Sequence, residues 1–172
     1  EHAMATTLPR LSDRLLPWLM RFSYRRADAI VAVSAGVAAE VACRAALPLS
    51  RVTVIPNPVV GPNLVTLAAE RLDHPWLAAG APPVLLGVGR LAWEKDFATL
   101  LRAFARLRQS RLLRLVILGD GEQRAALEAL IAELRIGADV LLPGATANPY
   151  AWMARAAALI LSSSQEGFGN VL

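Results

Sequence analysis

The sequence predicts an α/β protein built on parallel, Rossmann-like sheets, and three observations carry that reading. From Pro83 onward, short apolar runs at 84–88, 113–118, 140–142 and 157–161 alternate with helix-periodic stretches at 95–109, 121–135 and 150–155. The runs are nearly continuous in apolar residues, as in strands covered on both faces, and strands alternating with helices imply right-handed crossovers. Upstream, the apolar runs 28–34 and 51–55 flank a helical stretch over 35–46, which makes a separate βαβ unit. Between the two halves lies an irregular stretch, 58–82, punctuated by Gly61, Pro62, Pro75, Gly80 and Pro82, a composition suited to a linker or a surface excursion. Residues 1–57 are therefore expected to form one unit and 83–172 a second.

In chain order, residues 10–26 read as an amphipathic helix. Leu11, Leu15, Trp18, Leu19 and Phe22 share one face, and Arg10, Arg14, Arg21 and Arg25 line a neighbouring arc. Two placements are open: flat on an anionic membrane, or packed on its own domain with the arginines in water. Pro17 is expected to break or kink this helix, and Arg26 falls on its apolar side. Ser34 is positioned to cap the helix that follows it. In the second half, helix 95–109 is expected to bury Phe97, Leu100, Leu101, Phe104 and Leu107, and helix 121–135 to bury Leu127, Leu130, Ile131 and Leu134.

Composition narrows the function classes. The chain has 172 residues, room for one ordinary domain or pieces of two, and 55% of them are apolar, enough for a packed core. No apolar stretch reaches the length of a bilayer span, and the opening Glu1-His2-Ala3-Met4 has no secretory pattern and suggests an internal piece of a longer protein. Cys43 stands alone, which excludes an internal disulfide, fits a reducing compartment and casts it as a small hydrophobe on a helix. The net charge of +4 is carried almost wholly by arginine, with Lys95 the single lysine. The arginines are scattered over several helices, with no basic stripe interleaved with aromatics, so nucleic acid is not an expected partner.

Ligand crevices in such sheets lie beyond the C-terminal ends of the strands. Each run in the second half ends in small or polar residues: Gly89-Arg90, Gly119-Asp120-Gly121, Pro143-Gly144 and Ser162 through Gly169. The segment Gly87-Val88-Gly89-Arg90-Leu91-Ala92-Trp93-Glu94-Lys95-Asp96 is neither a dinucleotide fingerprint, since Ala92 replaces the third glycine, nor a P-loop. It offers Arg90 at a strand end and Lys95 where the next helix begins. They make either a diphosphate clamp or a pair of solvated loop charges. Gly119-Asp120-Gly121 is explained by a turn with a helix-capping Asp. His74 sits in the irregular stretch beside Pro75 and is expected to face solvent. His2 and His74 lie far apart, Cys43 has no partner, and Asp96 and Asp120 lack a paired spacing, so no metal site is expected. A G-x-S-x-G elbow is absent, which excludes that class of hydrolase.

Taken in order, IPNPV, GRLAWEKDF followed by TLLRAFARL, LVILGDGEQRAALEALIAEL, and VLLPGATANPYAWMARAAALILSSSQEGFGNVL resemble the large retaining glycosyltransferase family 4, with the GT-B fold, from about residue 28 onward. The resemblance implies a donor-binding domain over 83–172 and the C-terminal part of an acceptor-side domain over 1–57. It implies that Arg90 and Lys95 grip the diphosphate of a nucleotide-sugar, most often UDP-linked, and that Gly89 lies beside them. Glu166 would be the first glutamate of the family's Glu-x7-Glu motif and bond the sugar's hydroxyls, with Gly167, Phe168, Gly169 and Asn170 lining the same pocket. Leu142, Pro143 and Gly144 would sit near the base. The second glutamate would fall at position 174, beyond Leu172, so the chain is expected to be an internal piece of the enzyme, inactive or weak by itself.

The function so implied is transfer of a sugar from a nucleotide-diphosphate sugar to a glycan or lipid-linked acceptor in polysaccharide biosynthesis, with no metal and no cofactor. The location so implied is the cytoplasm, with the inner face of the membrane as a candidate peripheral site through residues 10–26. The competing readings are a nucleotide-sugar epimerase on the same fold, against which the EGFGN turn argues, and a non-catalytic module that binds nucleotide-sugar.

Overall fold

A computed structural model describes residues 11–58 and 60–164, and for residues 11–17 the backbone alone. The chain divides after Pro58 into two compact units.

The first unit holds helix α1 (Leu11–Arg26), strand β1 (Ile30–Ala32), helix α2 (Ala35–Ala45), a 3₁₀ turn (Leu49–Arg51) and strand β2 (Val52–Val54). The strands are parallel, with Ile30 opposite Val52 and Ala32 opposite Val54. As the sequence suggested, the Ser34 hydroxyl accepts from the Val37 amide at 3.2 Å and starts α2. Small residues on α2, Ala38 and Ala42, let it lie close on Ile30, Ala32 and Val52, with Tyr24 and Ala27 packed alongside. Val31, on the opposite face of β1, is 56% exposed, so the strand is covered on one face among the described residues rather than on both. Cys43, expected to act as a small hydrophobe, is exposed on α2. The break expected at Pro17 does not occur, since α1 runs unbroken through it. A proline inside a helix removes one N–H from the ladder, and the turns on either side retain theirs.

The second unit is a four-stranded parallel sheet in the order β5-β4-β3-β6. Its strands are β3 (Val84–Val88), β4 (Arg114–Leu118), β5 (Val140–Gly144) and β6 (Ala158–Leu159). The helices are α3 (Leu64–Ala69), which precedes β3, then α4 (Phe97–Arg108), α5 (Arg124–Glu133) and α6 (Tyr150–Met153). Alternation along β4 divides the core. Leu115 and Ile117 face Phe97, Leu100, Leu101 and Phe104 of α4 and Leu127, Leu130 and Ile131 of α5. Val116 and Leu118 face Val84, Leu86 and Trp152. Complete burial of such side chains contributes roughly 1.5–3 kcal/mol each, so both layers matter to stability. Leu107 is 40% exposed, contrary to expectation, because it falls at the edge of the inward arc in the last turn of α4. Leu134, the C-cap of α5, is only partly buried.

The stretch 58–82 is more than an irregular linker. It carries α3 and a 3₁₀ turn (Pro75–Leu77), and Leu72, Trp76 and Leu77 pack on the Val116 face of the sheet. The C-terminal carbonyls of α3 are met from the far end of the unit. Asn148 Nδ2 donates to the Leu67 carbonyl at 2.8 Å, and Arg155 donates to the carbonyls of Ala68 at 3.2 Å and Glu70 at 2.8 Å. His74 is half-buried rather than solvent-facing. Its Nδ1 accepts from the Trp76 amide at 3.2 Å, and its ring lies 5.1 Å from that of Trp152.

Candidate active site

The sheet order places a topological switch between β3 and β6: the chain steps from β3 to β4 to β5 in one direction, and β6 adds on the other side. Open α/β sheets bind ligands at such a point, outside the strands' carboxyl ends. The loops after these two strands hold the candidate phosphate-binding residues and the run leading to Glu166.

The β3 loop is rigid for identifiable reasons. The Gly89 amide donates to the Leu118 carbonyl at 3.0 Å, and the Leu91 amide to the Asp120 carbonyl at 2.9 Å. Leu91 itself is fully buried and pins the loop to the core, while its neighbour Arg90 stays 65% exposed. The chain then forms a 3₁₀ turn (Trp93–Lys95), and Asp96 takes a left-handed conformation at φ 45°. Asp96 Oδ1 accepts from the Thr99 amide at 3.2 Å and caps α4, so its carboxylate has a structural task. The aliphatic stem of Lys95 lies along Gly89, where an added Cβ would sit 3.4 Å from Cε and 3.5 Å from Cδ. Arg90 and Lys95 are thus held on one short loop.

Arg90 Nη2 donates to Glu94 Oε1 at 2.8 Å across one turn. That bond raises the arginine's pKa, aided by the charge of Glu122, and lowers that of Glu94. Both groups are exposed, so the pair is screened and easily exchanged for another partner. From the β6 side, the Ser162 hydroxyl donates to the Lys95 carbonyl at 2.7 Å, and the Ser164 amide to the Glu94 carbonyl at 2.9 Å. The switch point is therefore closed by hydrogen bonds between the Lys95 turn and the serines that lead toward Glu166.

On the other flank, a Cβ on Gly119, where φ is +143°, would meet the Gly89 carbonyl oxygen at 1.9 Å. A Cβ on Gly121 would meet the Leu91 carbonyl oxygen at 2.5 Å. Close backbone approach to the Arg90 loop therefore requires both glycines. Asp120 is not the cap of α5, as the sequence suggested. The cap position is Gln123, and Asp120 Oδ1 accepts from the Gly121 amide at 2.8 Å and from Arg124 Nε at 3.0 Å. Arg124, chiefly, and the Gly121 amide hold the Asp120 carboxyl below its ordinary range.

Leu142, Pro143 and Gly144 end β5 at a register shift. Val116 pairs with Leu141 and Leu118 with Gly144, so two residues of β5 oppose one of β4. Gly144 adopts a φ of +97°, and its carbonyl accepts from the Gly119 amide at 2.9 Å. The structure thus joins the ends of all four strands through Gly144, Gly119, Gly89, Lys95 and Ser162. The remaining candidates, Glu166, Gly167, Phe168, Gly169 and Asn170, lie outside the described residues. Ser162, read from the sequence as part of a polar strand end, is the residue that ties β6 to the Lys95 turn. Arg124, not singled out from the sequence, has a specific place whose available signal was its i,i+4 spacing from Asp120.

A family model described as Glycosyl transferases group 1 matches residues 69–172, and one described as Glycosyltransferase Family 4 matches residues 1–60. The chain belongs to the glycosyl transferases group 1 family. Among its relatives is the N-acetylgalactosamine-N,N'-diacetylbacillosaminyl-diphospho-undecaprenol 4-alpha-N-acetylgalactosaminyltransferase of Campylobacter jejuni subsp. jejuni. It is 35% identical over 155 residues, 90% of this chain and 40% of that protein. The lipopolysaccharide core biosynthesis glycosyltransferase LpsE of Rhizobium meliloti is 34% identical over 162 residues, 93% of this chain and 45% of that one. The apo structure of the lipopolysaccharide outer core galactosyltransferase WaaB has a TM-score of 0.61 at 27% identity, covering 85% of this chain and 40% of WaaB. The chain spans less than half the length of these relatives. Its α/β class, with parallel Rossmann-like sheets of the GT-B type, is that expected from the sequence.

Proposed function

We propose that the protein is a retaining glycosyltransferase that moves a sugar from a nucleotide-diphosphate sugar, UDP-linked by expectation, to a glycan or lipid-linked acceptor. The observation that carries this reading is the placement of Arg90 and Lys95 on the β3 loop at the switch point, bound to the β6 serines that lead toward Glu166. The printed functions of the Campylobacter and Rhizobium relatives, transfer to a diphospho-undecaprenol-linked sugar and lipopolysaccharide core synthesis, agree with it.

In the reaction, the bond between the anomeric carbon and the donor phosphate breaks, and a new bond forms to an acceptor hydroxyl. The leaving nucleoside diphosphate gains negative charge, and the acceptor's proton passes to it. Arg90 and Lys95 meet that charge directly, without a metal ion, and fixed cations in a preorganised site lower the barrier. Arg90 trades its exposed bond with Glu94 for two oxygens of the diphosphate, a geometry suited to its planar fork. Glu166, with the backbone of Gly167 to Asn170, holds the sugar, and Leu142, Pro143 and Gly144 form the wall beside the base. The reading is tested by nucleotide binding to Arg90→Ala and Lys95→Ala variants of the full-length protein.

The same reading includes peripheral contact with the cytoplasmic face of the membrane through α1. Trp18 is 73% exposed and Phe22 55%, and Arg21, Arg25 and Arg26 line the same groove. The Arg26 guanidinium stacks 3.7 Å from the Phe22 ring centroid, which accounts for an arginine on the apolar side. No described helix is long and apolar enough to cross a bilayer. Sedimentation with phosphatidylglycerol-containing vesicles is expected to capture the protein, and Arg21→Glu with Arg25→Glu to release it. Equal capture by neutral phosphatidylcholine vesicles would count against the contact.

A further inference from the structure

Arg124 makes a set of contacts that a surface arginine does not ordinarily make. Its Nε donates to Asp120 at 3.0 Å, and its Nη1 donates to Glu128 at 3.1 Å and to the Leu142 carbonyl at 3.3 Å. Its Nη2 reaches the Gly119 carbonyl at 3.5 Å. One guanidinium therefore links the end of β4, the end of β5 and Glu128, one turn further along α5.

The Leu142 contact falls at the register shift of β5. A bulge takes a residue out of the regular ladder and bends the strand, so its position depends on whatever else binds its backbone. Pro143 has no N–H to contribute, and Gly144 is in a left-handed conformation that few other residues adopt. A Cβ built on Gly144 would lie 3.7 Å from Arg124 Nη2, so the guanidinium packs against the bulge as well as bonding to it. Lysine lacks the forked geometry that serves several acceptors at once.

We infer that Arg124 is a positioning residue for the base side of the donor site: it fixes the Leu142–Gly144 bulge relative to Gly119 and thereby sets which nucleobase is accepted. The inference rests on the donor-site reading above. Arg124 does not itself touch the reacting atoms. Its loss loosens the base-side wall, while the Arg90 and Lys95 loop keeps the buried Leu91 side chain and the Ser162 bond to the Lys95 carbonyl.

The test is calorimetric titration of UDP, ADP and inorganic diphosphate into the full-length protein and its Arg124→Lys and Arg124→Met variants, with thermal midpoints recorded for each. Expected is a loss of UDP affinity of roughly tenfold in Arg124→Met and a smaller loss in Arg124→Lys, from loss of directed charge-assisted bonds. Discrimination between UDP and ADP should shrink, and inorganic diphosphate should bind as before. Glu128→Gln, which removes only the partner on the helix itself, should leave base discrimination unchanged. Parallel weakening of UDP and diphosphate would show a general structural effect and overturn the inference, as would unchanged discrimination in both Arg124 variants. If the unaltered protein binds no nucleotide, the donor reading itself fails and the inference falls with it.

Discussion

Ser162 donates its hydroxyl proton to the backbone carbonyl of Lys95 at 2.7 Å, joining two residues far apart in the chain across the switch point of the sheet. The bond is partly buried, and it fixes the turn that aims a candidate phosphate-binding lysine. Its neighbour Ser164 repeats the arrangement on the Glu94 carbonyl through both its amide and its hydroxyl.

Ser162→Ala is therefore expected to lower stability by about 1 kcal/mol, the net worth of such a hydrogen bond. The donor KM is expected to rise by more than that loss would suggest, because the Lys95 turn loses its tie to β6. Urea unfolding and donor kinetics on the same preparation check both. A stability loss with unchanged KM would show that the bond serves the fold alone.

Gly119 meets the Gly89 carbonyl so closely that an alanine there must push the two strand-end loops apart. Gly119→Ala is expected to cost more than about 2 kcal/mol, from both the overlap and the left-handed φ. Gly61, with nothing within 4 Å of an added Cβ, is the control, and Gly61→Ala should change stability by less than about 0.5 kcal/mol. Denaturant midpoints compare the two.

Asp120 and Glu94 both have pKa values below their ordinary ones, through hydrogen bonds from Arg124 and Arg90. A carboxylate depressed in the folded state adds stability above its unfolded pKa and loses it as pH falls through the folded one. Stability is thus expected to decline below about pH 4, the ordinary carboxylate range. Part of that decline should vanish in Asp120→Asn. Urea midpoints measured from neutral to acid pH would contradict this if the variant and the unaltered protein showed equal slopes.

Much of the second unit was legible from periodicity, because strands buried on both faces and helices with one apolar face leave local signatures. β3 spans Val84–Val88 as read, and Phe97, Leu100, Leu101 and Phe104 point inward as read. The docking of the 58–82 stretch was not legible. It depends on Asn148 and Arg155, which reach α3 carbonyls some 80 positions earlier, and no local pattern encodes such a pairing. The candidate site was readable as residue types at strand ends, namely Gly89, Arg90 and Lys95. What holds them, the Leu91 side chain and the Ser162 hydroxyl, and what Arg124 binds at the ends of β4 and β5, follow from contacts that residue type alone does not announce.

The most direct test of the donor site is titration of UDP, and of GDP and ADP for comparison, into the full-length protein and its Arg90→Ala and Lys95→Ala variants. Each variant is expected to lose at least about tenfold in affinity, as removal of a charge-assisted phosphate contact does. Thermal midpoints without nucleotide are expected to stay close to that of the unaltered protein, since Arg90 is exposed and its bond among the described residues is to Glu94 of its own turn. Equal nucleotide affinity in all three proteins would contradict the assignment of these two cations to the diphosphate.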